Sequence, residues 1–287
     1  KTKSEDEYKV LKKVHGKKIR LTGFNNLTKA LSFNIFDICY ARSPESQREY
    51  LEYIDEEYDS TRLKGIIEQV TRIIDARLIN LSTQDYEPRG ASVVALISEH
   101  NSGASFGAPL GAPKDAVSGA AARSGKNGGS LVAGHLDKSH ITAHTYPEFD
   151  SATGLASFRV DIDVSTCGTI SPLRSLHYLI DCFDSDVVLI DYRVRGFTRD
   201  TRGHKLFIDH DVASIQDFID DDVLADYLVY DINIQSENIF HTKMRKKEIQ
   251  IDDYLFGPEE DIPETERKKI HDVVKREMQE IFECQNF

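Results

Sequence analysis

Cysteine is scarce in this chain, and long apolar runs and an excess of positive charge are absent. The four cysteines, Cys39, Cys167, Cys182 and Cys284, are widely spaced without a CxxC pair, which excludes a small disulfide-stapled scaffold. No apolar run approaches the roughly 18 residues that span a bilayer. Lysine and arginine total 36 against 48 aspartates and glutamates, a net charge of −12, so nonspecific capture of nucleic acid is not expected. We expect a cytoplasmic protein with free thiols and neither a membrane nor a nucleic-acid partner.

The remaining composition is that of a folded protein. The chain has 287 residues, 40% hydrophobic and 29% charged, enough for one large or two small domains. Residues 101–134 differ, because eight glycines and eight alanines occupy these 34 positions and large apolar side chains are few. Such a segment cannot build a core, and we interpret it as a low-complexity insert.

Apolar spacing predicts a mixture of helices and strands. Apolar residues recur at helical spacing over 61–78, whereas over 158–165 they alternate with polar residues, as in a half-buried strand. The same criteria predict further helices over 172–183, 215–228 and 265–282, and further strands over 91–98, 139–146 and 186–194. Segments 18–24 and 30–40 fit neither period. These elements predict an α+β fold, an α/β sandwich of antiparallel sheets with helices on the outer faces.

A cluster of metal-ligand types occurs near the predicted strand at 139–146. His135, His140, His144 and Glu148 are residue types that bind zinc. On a strand, however, His140 and His144 share a face about 13 Å apart, too far for both to bind one ion. The sequence therefore identifies no metal ligands.

The block 133–148, the Ser-Thr-Cys-Gly motif at 165–168 and six further blocks occur in one order along the chain. Together they resemble one family, the S-adenosylmethionine decarboxylase proenzymes in their long bacterial form. Its self-cleavage and catalytic regions are matched by 133–148 and by the Ser-Thr-Cys-Gly motif at 165–168. Further matching blocks are 23–29, 37–41, 84–88, 90–93, 191–200 and 237–244. The resemblance covers roughly residues 17 to 283, which implies a charged N-terminal extension at 1–16 and a decarboxylase-like domain at 17–287.

The resemblance implies that the chain cuts itself between Lys138 and Ser139. An N-terminal beta chain, 1–138, and a C-terminal alpha chain, 139–287, would result. In this family the serine hydroxyl attacks the preceding carbonyl, the ester is eliminated, and the dehydroalanine that remains hydrolyses to a pyruvoyl group. That group serves as an electron sink through a Schiff base with the substrate. Lys138 before the cut is the residue expected of the long bacterial form.

Other site residues follow from the same resemblance. His144 matches the family's processing base and Ser92 its processing serine. Cys167 matches the proton donor in decarboxylation. Glu148 matches the acid that binds the ribose hydroxyls, and Tyr86 lies at the position of an aromatic residue that stacks on adenine.

The implied reaction is decarboxylation of S-adenosylmethionine to S-adenosylmethioninamine and CO₂ for spermidine biosynthesis. The resemblance also suggests activation by Mg²⁺ and a homo-oligomer of alpha–beta units. Two alternatives remain open. The same scaffold could decarboxylate a basic amino acid, arginine or ornithine, although Glu148 and Tyr86 would then be unneeded. An unprocessed paralogue could act only as a binding subunit, although Ser139, His144 and Cys167 are all retained.

Four arginines form an island of positive charge in this acidic chain. Arg193, Arg195, Arg199 and Arg202 lie within ten residues. One interpretation places them on an exposed strand face and its turn; the other places them across a subunit interface, where arginine is a favoured ion-pair donor.

Overall fold

One nine-stranded sheet organises the chain in the computed structural model, which describes residues 26–99, 139–183, 185–257 and 262–287. Its strands are β1 (Thr28–Ala41), β2 (Ala76–Asp85), β3 (Ala91–Glu99), β4 (Ser139–Phe149), β5 (Leu155–Cys167), β6 (Val187–Arg195), β9 (Tyr227–Asp231), β10 (Ile239–Lys246) and β11 (Leu255–Phe256). Their order is β2-β3-β4-β5-β1-β6-β10-β9, all antiparallel, while β11 pairs with β1 in parallel. Strands β7 (Thr198–Arg199) and β8 (Lys205–Leu206) form a separate hairpin.

Five α-helices accompany the sheet in the described residues. They are α1 (Pro44–Glu57), α2 (Ser60–Ile73), α3 (Leu176–Cys182), α4 (Asp221–Asp226) and α5 (Glu264–Glu283). Short 3₁₀ turns lie at Pro172–Ser175, Ile215–Phe218, Gln235–Glu237 and Ile251–Tyr254. Helix α2 begins where the Asp59 side chain accepts a hydrogen bond from the Arg62 N–H, a typical N-cap. No helix in this described part is both long and apolar enough to cross a membrane.

The two faces of the sheet have different neighbours because apolar and polar residues alternate along the strands. On one face, side chains such as Phe33 and Val160 form the main core with helices α1, α2 and α3. On the other, α5 packs against Ile38 and Val187 at one end of the sheet. Beyond α5 this second face carries half-buried or exposed polar side chains. We call this part the open face; it includes Ser32, Asn34, His144, Asp161 and Asp163.

The predicted α+β class, with an antiparallel sheet and helices packed outside it, is confirmed. Strands β3, β4, β5 and β6 and helix α5 lie where the apolar spacing predicts them. The unassigned segment 30–40 is part of β1, which pairs with β5 on one side and β6 on the other. Its apolar spacing is uneven because its last residues are covered on both faces, by the main core and by α5.

Three predicted helices are wrong in part. The helix predicted over 61–78 ends at Ile73, and Asp75, with φ of 60°, leads directly into β2. The one predicted over 215–228 is a 3₁₀ turn followed by α4, and Tyr227 already belongs to β9. Over 172–183, the 3₁₀ turn Pro172–Ser175 precedes α3. In each case pairing with β3 or β10, or packing on the sheet, overrides the local helical pattern.

Four features predicted from the sequence lie outside the described residues. They are the extension at 1–16, the segment 18–24, the insert at 101–134 and Lys138.

Candidate functional site

Ser139 and Cys167 lie next to each other at one end of the sheet. Ser139 is the first residue of β4 and is buried. The backbone N–H of Cys167, the last residue of β5, donates a hydrogen bond to Ser139 Oγ at 3.0 Å. The thiol of Cys167 is unpaired and exposed. The structure thus places the backbone of the predicted proton donor against the predicted cofactor precursor, while the alternation along β5 puts the thiol on the opposite face of the sheet.

A tight turn after β5 fixes the position of that N–H. The buried hydroxyl of Thr166 donates to the carbonyl of Ile170 at 3.1 Å. Gly168, with φ of 70°, adopts a conformation that other residues rarely take, and its N–H donates to the carbonyl of Leu27 at 3.3 Å. The donor that contacts Ser139 is therefore part of a rigid strand end.

A second group of predicted residues forms around His144, in the middle of β4. Ser92 on β3 is directly opposite His144 in the antiparallel register, so the two side chains share a face with Cβ atoms about 5 Å apart. Tyr86, in the loop between β2 and β3, forms a hydrogen bond between its Oη and His144 Nδ1 at 3.2 Å. Ser92, Tyr86 and His144 therefore form one cluster.

The loop that carries Tyr86 is fastened to β4 and to α1. The N–H of Tyr86 donates to the carbonyl of Gly90 at 2.7 Å. The N–H of Gly90 donates to a carboxylate oxygen of Asp55 on α1 at 2.9 Å, and the N–H of Ala91 donates to Thr145 Oγ1 at 2.7 Å. These bonds set the height of the tyrosine ring above His144.

Gly90 is required at this point for two reasons, and replacing it with alanine should destabilise the protein. Its φ is +95°, and a Cβ would lie 2.6 Å from the Thr145 carbonyl oxygen. We expect Gly90→Ala to lower the free energy of unfolding by about 3 kcal/mol, measured by urea denaturation. Gly203→Ala is the matched control: its φ is +85° but no atom lies within 4 Å of the added Cβ, so about 1 kcal/mol is expected. Equal losses would show that the close approach to Thr145 does not matter.

Charged and aromatic groups surround the His144 imidazole on the open face. Asp161 on β5 is opposite His144 in register and is bound by Arg159 at 2.5 Å. The Arg159 guanidinium lies 5.3 Å from the centre of the Tyr146 ring, which itself lies 6.3 Å from that of His144. Burial, and then the negative charge of Asp161, raise the pKa of Tyr146. The environment of His144 is thus polar, and the Asp161 carboxylate in it is paired with Arg159.

The structure does not bring His144 to Ser139 within one chain. Five residues of extended strand separate them, about 16 Å. The burial pattern of β4 places Ser139 with the core-facing residues Ile141 and Ala143, and His144 on the opposite face. Cys167, by the alternation along β5, shares the open face with His144.

Glu148 lies four residues beyond His144 and is exposed. It approaches α5, where burial, then Glu280, Glu148 and Asp150, raise the pKa of Glu277. The predicted ribose-binding acid is therefore also distant from Ser139 of its own chain.

The structure also bears on the metal-ligand residues and on the arginine cluster that the sequence singled out. Among the described residues, no group of three or more His, Cys, Asp or Glu side chains is arranged to hold a metal ion. Arg193 and Arg195 lie exposed on the open-face side of β6, Arg199 lies in β7, and Arg202 lies in the turn that follows. This placement agrees with an exposed strand face and its turn, and the interface interpretation stays a prediction.

The sequence pattern did not indicate two residues that support the site. Thr166 is adjacent to Cys167 in the Ser-Thr-Cys-Gly motif, and that neighbourhood was the available signal. Asp55 lies on an amphipathic helix among other acidic residues, and nothing in the sequence distinguishes it from them. Its role depends on a contact 35 positions along the chain.

The chain is similar in sequence to a family model and to curated relatives, and it also matches a solved structure. The family model described as S-adenosylmethionine decarboxylase matches residues 51–196. An S-adenosylmethionine decarboxylase proenzyme from Halorhodospira halophila is 53% identical, covering 94% of this chain and 96% of the relative. One of the same name from Heliobacterium modesticaldum is 51% identical, covering 94% and 97%. The crystal structure of the adenosylmethionine decarboxylase from Aquifex aeolicus is 16% identical with a TM-score of 0.31, covering 60% of this chain and 91% of that one.

Proposed function

Because the chain belongs to the S-adenosylmethionine decarboxylase family, we propose that it is a self-processing, pyruvoyl-dependent enzyme. It converts S-adenosylmethionine to CO₂ and S-adenosylmethioninamine, the aminopropyl donor for spermidine biosynthesis. The observation that carries this proposal is the contact between the Cys167 N–H and Ser139 Oγ. The relatives' names favour neither the basic amino acid decarboxylase nor the non-catalytic paralogue.

Cleavage begins with attack of Ser139 Oγ on the carbonyl carbon of Lys138. The peptide C–N bond breaks, the amine of Ser139 is freed, and an ester joins the two residues. Loss of the Ser139 α-proton and of the Lys138 carboxylate leaves dehydroalanine, which takes up water, releases ammonia and becomes pyruvoyl. The Cys167 N–H holds the attacking oxygen in place, and a fixed donor of this kind contributes without reorganisation during reaction.

Ser139 is the first residue of β4, so a chain cut before it would carry the pyruvoyl group at the start of this strand, beside the backbone of Cys167. The pyruvoyl group, when formed, accepts the electrons that the departing carboxylate leaves on the substrate. Cys167 then supplies the proton to the substrate α-carbon; its backbone lies beside Ser139, and its thiol is exposed on the open face.

Removal of the Cys167 thiol should slow decarboxylation but leave self-cleavage unchanged. Since only the backbone of Cys167 contacts Ser139 Oγ, we expect Cys167→Ala to be cleaved normally. Its decarboxylation rate should fall by about 10²–10⁴-fold, the usual contribution of a general acid, measured by release of labelled CO₂. Cys284→Ala, at another exposed thiol, should keep full activity. Equal rates for both variants would remove Cys167 from the mechanism.

The processing base must come from a second copy of the chain. His144 lies about 16 Å along β4 from Ser139 and on the other face, so it cannot take a proton there in its own chain. Both His144 and Cys167 lie on the open face, and two sheets packed face to face are about 10 Å apart. A pair of copies stacked through their open faces would place the partner's His144 beside Cys167 at the strand end where β4 begins, and Ser139 Oγ, which faces the core, would have to turn to the open face to meet it. This arrangement agrees with a homo-oligomer of alpha–beta units.

The substrate-binding residues would then accompany His144. Tyr86 contacts His144 directly, and Glu148 is exposed further along the same strand. In the paired arrangement Tyr86 stacks on the adenine ring and the Glu148 carboxylate accepts hydrogen bonds from the ribose hydroxyls. Ser92, opposite His144 in register, takes part in processing. One copy supplies Ser139 and Cys167, and the other supplies these residues.

The proposal also covers Mg²⁺ and the cellular location of the protein. No step is assigned to Mg²⁺; the described residues hold no group of three or more His, Cys, Asp or Glu side chains arranged around one metal position. A cytoplasmic location is supported by the four cysteines, all of which are described and none of which forms a disulfide.

Intact-mass spectrometry of the purified protein tests the proposal. We expect two fragments, residues 1–138 and residues 139–287, the second beginning with pyruvoyl in place of serine. A single chain near 32.5 kDa that persists after prolonged incubation would contradict self-processing.

A further inference from the structure

We propose that the hydroxyl of Tyr86 positions the His144 imidazole as a base, a role separate from any contact of the tyrosine ring with substrate. The inference rests on the proposed function of His144 in processing. Tyr86 Oη lies 3.2 Å from His144 Nδ1. In the described part of the chain, this is the one side chain that hydrogen-bonds the imidazole.

The direction of this hydrogen bond decides whether His144 can act as a base. A neutral imidazole carries one N–H and one free lone pair. If Nδ1–H donates to Tyr86 Oη, the lone pair is on Nε2, which is then ready to accept a proton. If the tyrosine donates instead, the proton is on Nε2 and no free lone pair remains. A base at this position therefore requires Tyr86 Oη to accept the bond, and in that arrangement the contact holds the proton on Nδ1.

The tyrosine hydroxyl is held in place before any substrate binds. The loop that carries it is closed by the bond from the Tyr86 N–H to the Gly90 carbonyl and tied to α1 through Asp55. Gly90 packs so closely on the Thr145 carbonyl that no side chain fits between the loop and β4. A pre-positioned partner loses little conformational entropy when the bond forms.

Other groups lie beside His144 but do not determine which of its ring nitrogens carries the proton. On β5, Asp161 is opposite His144 and is bound by Arg159. On β4, the Tyr146 ring lies beside the imidazole at 6.3 Å between centres. These groups make no hydrogen bond to His144 in the described residues, so the hydroxyl of Tyr86 is the feature that distinguishes Nδ1 from Nε2.

The hydroxyl and the ring of Tyr86 have different proposed roles, and different substitutions test them separately. Stacking on a base needs only the aromatic ring, which phenylalanine also provides. Tyr86→Phe therefore removes the contact with His144 alone, while Tyr86→Leu removes the ring as well. Tyr146→Phe is the matched control, because it removes a hydroxyl from the neighbouring ring without breaking a hydrogen bond to His144.

Cleavage rates during cell-free synthesis, followed by intact mass, give the first test. We expect Tyr86→Phe to cut about five- to tenfold more slowly, the effect of one lost hydrogen bond. Among the molecules that have been cut, the KM for S-adenosylmethionine should rise more in Tyr86→Leu than in Tyr86→Phe, because only the leucine variant loses the aromatic ring. Tyr146→Phe should cut at the wild-type rate.

Nitrogen NMR of histidine-labelled protein gives a second test, which shows directly which ring nitrogen of His144 carries the proton. In uncut Ser139→Ala protein we expect His144 to carry its proton on Nδ1, and in Ser139→Ala/Tyr86→Phe we expect part of the population to carry it on Nε2. A proton on Nε2 with Tyr86 intact, or a Tyr86→Phe variant that cuts at the wild-type rate, would overturn the inference. Cleavage of Ser139→Ala itself would instead overturn the proposed function.

Discussion

Replacing Ser139 with alanine is expected to leave the chain uncut and without decarboxylase activity. Alanine has no oxygen to attack the preceding carbonyl, so neither the ester nor the pyruvoyl group forms. The proposed mechanism needs a covalent electron sink, since no ordinary side chain offers an electrophilic carbonyl. Intact mass should show one species near the full-chain value of 32.5 kDa, and CO₂ release should fall to the uncatalysed level.

The fold should survive this change, which keeps the result interpretable. Ser139 loses one hydrogen bond from the Cys167 N–H, worth about 1 kcal/mol, while β4 stays paired with β3 and β5. Ser82→Ala, at an exposed serine of β2, serves as the control and should be cut and active. Two fragments from Ser139→Ala, or decarboxylation by its uncut chain, would refute the mechanism.

Mixing two inactive variants should restore cleavage. His144→Ala alone is expected to stay uncut because its processing base is missing, and Ser139→Ala alone because its nucleophile is missing. In a twofold pair of one chain of each kind, one of the two sites contains both Ser139 and His144. With random pairing of equal amounts, about half of the His144→Ala chains should be cut.

Mass spectrometry identifies which chain has been cut, since the fragment 139–287 that appears must carry alanine at position 144. The control is His144→Ala co-expressed with the double variant Ser139→Ala/His144→Ala, in which no site is complete and no fragment is expected. If mixed oligomers form and His144→Ala remains uncut, the base does not come from a second copy. If His144→Ala is cut by itself at the wild-type rate, His144 is not the base.

The sequence-based predictions failed mainly where long-range pairing overrides a local pattern. The helix predicted over 61–78 ends at Ile73, because Asp75 turns the chain into β2, which pairs with β3. The helix predicted over 215–228 ends before Tyr227, where β9 begins and pairs with β10. In the segment 30–40, two different packing partners cover the same strand, so neither helical nor strand spacing stands out.

The sequence by itself determined the strands that carry the site and the face on which each residue lies. Alternation along β4 and β5 follows from the period of two in an extended chain, so residues 139 and 144 had to lie on opposite faces. It also determined the family resemblance, which the related proenzymes confirm; the roles of Ser139, Cys167 and His144 stay predictions.

Only the tertiary structure decided which residues become neighbours. The register of β3 on β4 places Ser92 opposite His144, and the loop after β2 places the Tyr86 hydroxyl on the imidazole. The turn after β5 directs the Cys167 N–H at Ser139. These contacts join residues 28 to 58 positions apart, and their geometry depends on how strands pair and loops close, which no local pattern of side chains records.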